Sequence, residues 1–372
     1  MSVEESCGNY ESEEEINRLF NLKTSHIFHK EIDKKCYITN ISGSIINSNV
    51  AVARSDHVLE LYDVSNSNIY LIKSFQTDYD IVDVKISPEN ERIFYVGTND
   101  CKISVWDSRL KTSVVNVFND TTVDNDSPSK ILSCFDISSN NLLLSGGTEL
   151  VATDAYILFW DIRQCKLMGA YWESHTEDIT QVLFNPNDMN QLISGSNDGL
   201  INIYDLSQSC EDDALIDSLN TMLSISKLKW YKDKNTDCIC CITQSEDLQF
   251  WKMDDANPYK SFNKSDLPFI LKGRNNNEED YFYVADVFRN PKNDCINVLI
   301  GRDNEETGNL GGFRFANNEL VPTYNFIENK QIVRCSWFNH NGNFLITGGE
   351  GGALDLWNLE KDDYSNGFSS FR

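Results

Sequence analysis

A window of about 28 residues recurs in register along this chain and ends each time in Trp-Asp or a close variant. It runs from Asp80 to Asp107, from Asp178 to Asp205 and from Gln331 to Asn358. The first two windows are identical at nine positions, among them Pro88/Pro186, Gly97/Gly195, Asn99/Asn197 and Asp100/Asp198. Copies this far apart impose a repeat architecture, in which each unit buries its apolar surface against the next.

Inside a window the apolar period is two. Val82, Val84 and Ile86 alternate with Asp83 and Lys85, the pattern of a strand with one buried face. Pro88 then marks a turn, because its fixed φ suits one and its missing N–H is not needed there. Ile93–Val96 predicts a second strand, Gly97–Asp100 a turn, Ile103–Trp106 a third strand and Val114–Phe118 a fourth. Four such strands cannot cover both of their faces, whereas copies stacked around an axis can.

The pattern resembles the WD40 repeat, whose copies run about 40–45 residues. Copies end at Tyr62-Asp63, Trp106-Asp107, Trp160-Asp161, Tyr204-Asp205, Trp251-Lys252, Phe315-Ala316 and Trp357-Asn358, and undisturbed neighbours such as Asp63 and Asp107 lie 44 apart. The resemblance implies an all-β, seven-bladed propeller, with six or eight blades as alternative counts. Polar inserts at 119–129 and 272–280 account for the wider spacings, and Gly308–Gly312 blurs the third hairpin of the copy ending near Phe315. The last window stops after its third strand. The resemblance implies closure by an N-terminal strand around Ser25–Lys30, which leaves no open edge at the seam. The domain expectation is an acidic, partly disordered segment over 1–22, one propeller over 23–360 and a disordered tail over 361–372. Residues 140–255 resemble one branch of the WD40 proteins specifically; 1–20 and 256–330 are propeller-like only in general.

Composition narrows the functional classes. The net charge is −25, and setting aside residues 1–20, with six Glu and one Arg, leaves 31 basic against 51 acidic groups, or −20. Direct nucleic-acid binding is disfavoured, since phosphate neutralisation needs a basic patch. The charge suits a basic protein partner such as a ribosomal protein or histone, or else serves solubility alone. No apolar run is long enough for a membrane span. The glutamate-rich start does not read as a signal peptide, so an intracellular protein of cytoplasm or nucleus is expected. The eleven cysteines then read as small buried hydrophobes rather than a disulfide framework.

No catalytic signature is present: GxxxxGK[ST], GxSxG and HExxH are all missing from the sequence. Gly348–Gly352 looks like a phosphate loop but aligns with Gly195–Gly199, so a hairpin turn is expected. His175, Ser194 and Asp198 supply the residue types of a Ser-His-Asp triad. Their spacing instead matches the structural tetrad of the WD40 proteins that the chain resembles, with Tyr204 in place of the usual Trp. In the aligned blades, Thr77 and Val96 occupy the His and Ser positions of one, and Gly351 the Asp position of another. Cys238-Ile239-Cys240-Cys241 lacks a second ligand pair for zinc. His26 and His29, three apart on a strand, are expected on opposite faces. No metal and no cofactor are expected.

Trp-Asp-x-Arg occurs twice, ending at Arg109 and Arg163. In propellers that this chain resembles, such an arginine lies on one face, and in one class it docks on the adaptor of cullin-4 ubiquitin ligases. The same arginine can pair with local acids. The sequence therefore supports a non-enzymatic, monomeric propeller that scaffolds protein interactions. Its specific roles are an acidic escort for a basic client or, alternatively, a cullin-4 substrate receptor.

Overall fold

The computed structural model describes residues 22–359 apart from 34, 45–48, 66–67, 111–113, 123–128, 234–235, 268–280, 291–294 and 304–308. The expectations for 1–21, 272–280 and 361–372, and for most of the 119–129 insert, lie outside the described residues.

Seven four-stranded antiparallel units follow one another along the chain. Blades 1 to 6 span 38–76, 81–119, 132–171, 179–220, 225–262 and 281–326. Blade 7 takes three strands from 333–359 and its fourth from Leu22–Glu31. Every Trp-Asp-like end inferred from sequence falls at or near the end of a third strand, including Trp106-Asp107 in Lys102–Asp107 and Trp357-Asn358 in Ala353–Leu359. The copy blurred by glycines is also regular: Asn309–Ala316 runs through Gly311 and Gly312 and pairs with both neighbours. Seven blades is therefore the count, and the six- and eight-blade alternatives fall away.

The innermost strands pack each on the next, and that of blade 7 returns to that of blade 1. The apolar clusters follow the same order, each shared by two adjacent blades. Ala51, Leu61 and Phe75 of blade 1 meet Ile81, Phe94 and Val96 of blade 2; Cys335, Ile346 and Leu356 of blade 7 meet Ile38, Val50 and Val52 of blade 1. A sheet that is apolar on both faces thus buries both, at about 1.5–3 kcal/mol per large side chain removed from water. Seven of the ten described cysteines are buried, and all ten are free thiols. Burial, outweighing the hydrogen bonds that oppose it, pushes Cys134 up to about 12 and Cys238 to about 11.

Polar side chains latch the innermost strands. Ser42 Oγ accepts the Ile86 N–H at 3.1 Å, Asp136 accepts Phe184 N–H at 2.9 Å and Asp286 accepts Ser336 N–H at 2.7 Å. Gln181 accepts Leu228 N–H in the same way. Each bond crosses from one blade to the next, so it satisfies a backbone donor that has no ladder partner.

At the closure, Leu22–Glu31 pairs antiparallel with Ala353–Leu359 and makes a short parallel contact with blade 6. The register slips between His26 and Phe28. That bulge corrects the expectation that His26 and His29 point apart. One extra residue restores an even spacing, so both imidazoles face Asp355 of the last blade, His26 through Nε2 at 3.0 Å and His29 through Nδ1 at 2.6 Å.

Candidate functional site

In blade 4, His175 precedes the first strand, Ser194 lies on Gln191–Ser196, Asp198 in the following turn and Tyr204 on Leu200–Asp205. His175 Nδ1 lies 2.9 Å from Asp198 Oδ2, and Nε2 lies 2.6 Å from Ser194 Oγ. Ser194 Oγ is 3.3 Å from the Tyr204 hydroxyl, which also meets Ser174 Oγ at 2.7 Å. The four residues form one chain, and Tyr204 reaches it through its hydroxyl. Asn202 joins it by donating to the Ser174 carbonyl at 2.7 Å while accepting from Ser218 at 2.7 Å. Sequence reasoning missed Ser174, Asn202 and Ser218; the only signal was small polar residues where a strand would bury apolar ones. Burial by itself would raise the Asp198 pKa, but the His175 bond and two backbone N–H donors outweigh it and hold the carboxyl low. Ser194 is fully buried and His175 2% exposed, so the hydroxyl has no path to a substrate. The network braces the blade.

Gly199 and Gly352 both have positive φ (81° and 61°) immediately before the third strands of blades 4 and 7. The glycine run at 348–352 is thus a hairpin turn, with no helix start to hold a phosphate.

Arg109 and Arg163 fold back on the aspartates of their own motifs. Arg109 forms a fork on Asp107, with Nε to Oδ1 at 2.9 Å and Nη2 to Oδ2 at 2.6 Å. Arg163 makes one contact, Nη2 to Asp161 Oδ2 at 3.2 Å. The Arg109 hydrogen bonds pull the Asp107 pKa down to about 2. Both arginine side chains remain more than half exposed, at 55% and 66%. They occupy the same position on two adjacent blades.

The axial charges are largely balanced. Lys85 pairs with Asp83 at 3.2 Å and reaches Asp136 at 3.7 Å, while Lys227 meets Asp286 at 3.4 Å. Burial pushes the Lys229 amine down, opposed in part by Asp286 and Asp136. The acidic surplus is therefore not concentrated on these inner strands.

A groove opens where blade 3 meets blade 4. Its floor includes Leu143, Phe159 and Tyr171, and Met168 and Trp172 stand on its wall, exposed at 63% and 46%. Gly169, on the free outer strand Lys166–Tyr171, leaves open space: no atom comes within 4 Å of where a Cβ would sit. The opposite wall is a single helical turn, Glu211–Ala214, whose first three residues are acidic. Glu211 accepts the N–H groups of Trp172 at 2.7 Å and Glu173 at 3.0 Å, which fixes the turn across the mouth. An apolar floor under a carboxylate rim suits an apolar side chain flanked by cations. The segments building it, 168–173 and 206–212, lie within 140–255, the stretch that carried the more specific resemblance in the sequence.

Comparison with known proteins agrees with this geometry. Residues 166–205 and 320–358 match the family described as WD domain, G-beta repeat. A WD repeat-containing protein 89 homolog of Dictyostelium discoideum is 26% identical over 87% of this chain and 83% of its own. An uncharacterized WD repeat-containing protein of Saccharomyces cerevisiae is 28% identical over 80% and 75%. The WD repeat-containing protein GTS1 of Arabidopsis thaliana is 28% identical over 59% and 54%. Repeats that read as WD40 units in the sequence close here into a ring, and the relatives align across most of it: the chain is a seven-bladed β-propeller that carries two WD-repeat matches and is similar to a WD repeat-containing protein 89 homolog.

Proposed function

We propose that this propeller is a non-enzymatic scaffold that escorts a basic client protein, holding it through the groove between blades 3 and 4. The observation that carries the reading is the pairing of an apolar groove, with Met168 and Trp172 exposed on its wall, with the fixed acidic turn Glu211–Asp213. The excess of acidic over basic groups across the body adds long-range attraction for a cationic partner. A fluorescent peptide rich in Lys and Arg, carrying one Leu or Phe, serves as probe beside a histone and a basic ribosomal protein. Affinity should fall steeply with added salt and fall further in Trp172→Ala. Binding that ignores ionic strength, or survives Glu211→Lys with Asp212→Lys, removes the reading.

A second reading is favoured by the exposed arginines at matching positions of adjacent blades. In it, Arg109 and Arg163 dock on the cullin-4 adaptor, and the groove receives the substrate. Recovery of the adaptor with the wild-type chain but not with Arg109→Ala/Arg163→Ala supports it. Equal recovery from both, or none from either, removes it.

A further inference from the structure

We propose that His26, His29 and Asp355 form a zinc-binding site that fastens the N-terminal strand to the last blade. The bulge after His26 brings the two imidazoles to one side of the seam, and the three ligand atoms lie within 4.8 Å of one another. Both ring nitrogens converge on a single oxygen, Asp355 Oδ1, at 3.0 and 2.6 Å. Tetrahedral zinc, with bonds of about 2.0–2.2 Å, holds its ligand atoms about 3.3 Å apart. A shift of the carboxylate by well under its own length opens that space.

The proton count favours a cation here. The other nitrogen of His26, Nδ1, faces a second carboxylate, Glu328 Oε2, at 2.9 Å. A neutral imidazole carries one N–H, so it cannot donate to Glu328 and to Asp355 together. Donation to Glu328 turns the Nε2 lone pair on the Asp355 oxygen, a repulsion that either a second ring proton or a metal ion relieves. With the metal in place, Glu328 becomes the carboxylate that orients a ligating histidine, and Gln331 Nε2, 2.8 Å from Asp355 Oδ2, holds the far side of the ligating carboxylate. His26 also lies against the Trp357 ring, with centroids 4.5 Å apart, which limits its rotation.

Access fits as well. Asp355 is 3% exposed and His26 13%, but His29 is 46% exposed, which leaves an entry path and room for water as fourth ligand. Two imidazoles and a carboxylate suit zinc better than calcium or magnesium. The ligands sit 329 and 326 residues apart in sequence, so the ion closes the ring, and closing so long a loop restricts the unfolded chain most. Zinc bound only by the closed ring raises its stability by mass action.

The test uses the full chain freed of metal by chelation and titrated with zinc chloride. Calorimetry and elemental analysis should give one equivalent bound, and the melting temperature should rise with zinc concentration. His29→Ala removes a bond to Asp355 and should lower the metal-free melting temperature modestly, but the zinc-dependent rise should vanish. Glu328→Gln should weaken binding by about 10–100-fold. Cobalt substitution should give tetrahedral d–d bands without a thiolate charge-transfer band, which separates this site from the cysteines. No stoichiometric binding means a metal-free hydrogen-bonded seam and overturns the proposal. So does a zinc response that persists in both His29→Ala and Asp355→Asn.

Discussion

Val96 stands where Thr347 stands in the last blade, and in consequence the buried Trp106 indole N–H has no acceptor among the described residues. Thr347 accepts the Trp357 N–H at 2.9 Å across the same strand pair. Ser194 meets Tyr204 at the same sequence spacing in blade 4. Blade 2 retains the ring but has lost its partner, and an unsatisfied buried donor costs about 1–3 kcal/mol. Val96→Thr should therefore be neutral or stabilising by up to about 1 kcal/mol, the reverse of the usual cost of burying a hydroxyl. Val298→Thr, a fully buried control, should destabilise. Urea midpoints of both variants decide it, and equal losses at the two positions would contradict the account.

In blade 4 the polar chain is fully connected, so breaking it at different links should cost different amounts. Tyr204→Phe removes the hydroxyl that links Ser194 to Ser174 but leaves the His175–Ser194 bond in place, with an expected loss of about 1 kcal/mol. Ser194→Ala strips both His175 Nε2 and the Tyr204 hydroxyl of a partner and should cost about 2–3 kcal/mol. A double-mutant cycle on His175 and Asp198 should show clear non-additivity; simple additivity would mean the bonds do not act as a unit.

The Arg109–Asp107 fork gives a pH dependence of defined sign. The folded Asp107 pKa is depressed from 3.8 to about 2, chiefly by the Arg109 hydrogen bonds. A depressed carboxylate contributes stability above its ordinary value and loses it as pH falls through the folded value. Wild type should thus exceed Arg109→Ala in thermal stability above pH 3.8, and the two melting curves should converge near pH 2. A gap that widens on acidification would reverse the assignment. The size should be small, because the arginine is largely in water.

Filling the groove should separate binding from folding. At Gly169 the space where a Cβ would sit is open, so Gly169→Leu should leave the melting temperature within a few degrees of wild type. It should weaken the Lys/Arg-rich peptide about tenfold, a loss of about 1.4 kcal/mol. Unchanged affinity in the folded variant would place the client elsewhere on the ring.

Much of the ring was legible in the sequence because its determinants are local. Alternation at Val82, Val84 and Ile86, the turn at Pro88 and the Trp-Asp ends mark strand edges without knowledge of neighbours. The incomplete last copy led to a closing strand around Ser25–Lys30, within the observed Leu22–Glu31. The tetrad residues could be picked out by spacing, since one blade supplies all four. The polar inserts and the acidic N-terminal segment were visible only as composition.

What escaped the sequence involves a register or a second blade. Strict alternation sends His26 and His29 apart; one bulged residue, set by how the strand seats on Ala353–Leu359, brings them together on Asp355. Asp136, Gln181 and Asp286 read as ordinary polar positions, and only the packed ring gives each a backbone donor on the next blade. The groove likewise needs Trp172 and Glu211, 39 residues apart, to meet across two blades. Local periodicity determined the strands and their turns, because those follow from each residue's own backbone and burial preferences, while the blade count was fixed only when the ring closed. The tertiary structure alone decided which polar atoms face one another, because that depends on offsets of a single residue and on surfaces that do not exist until the blades pack.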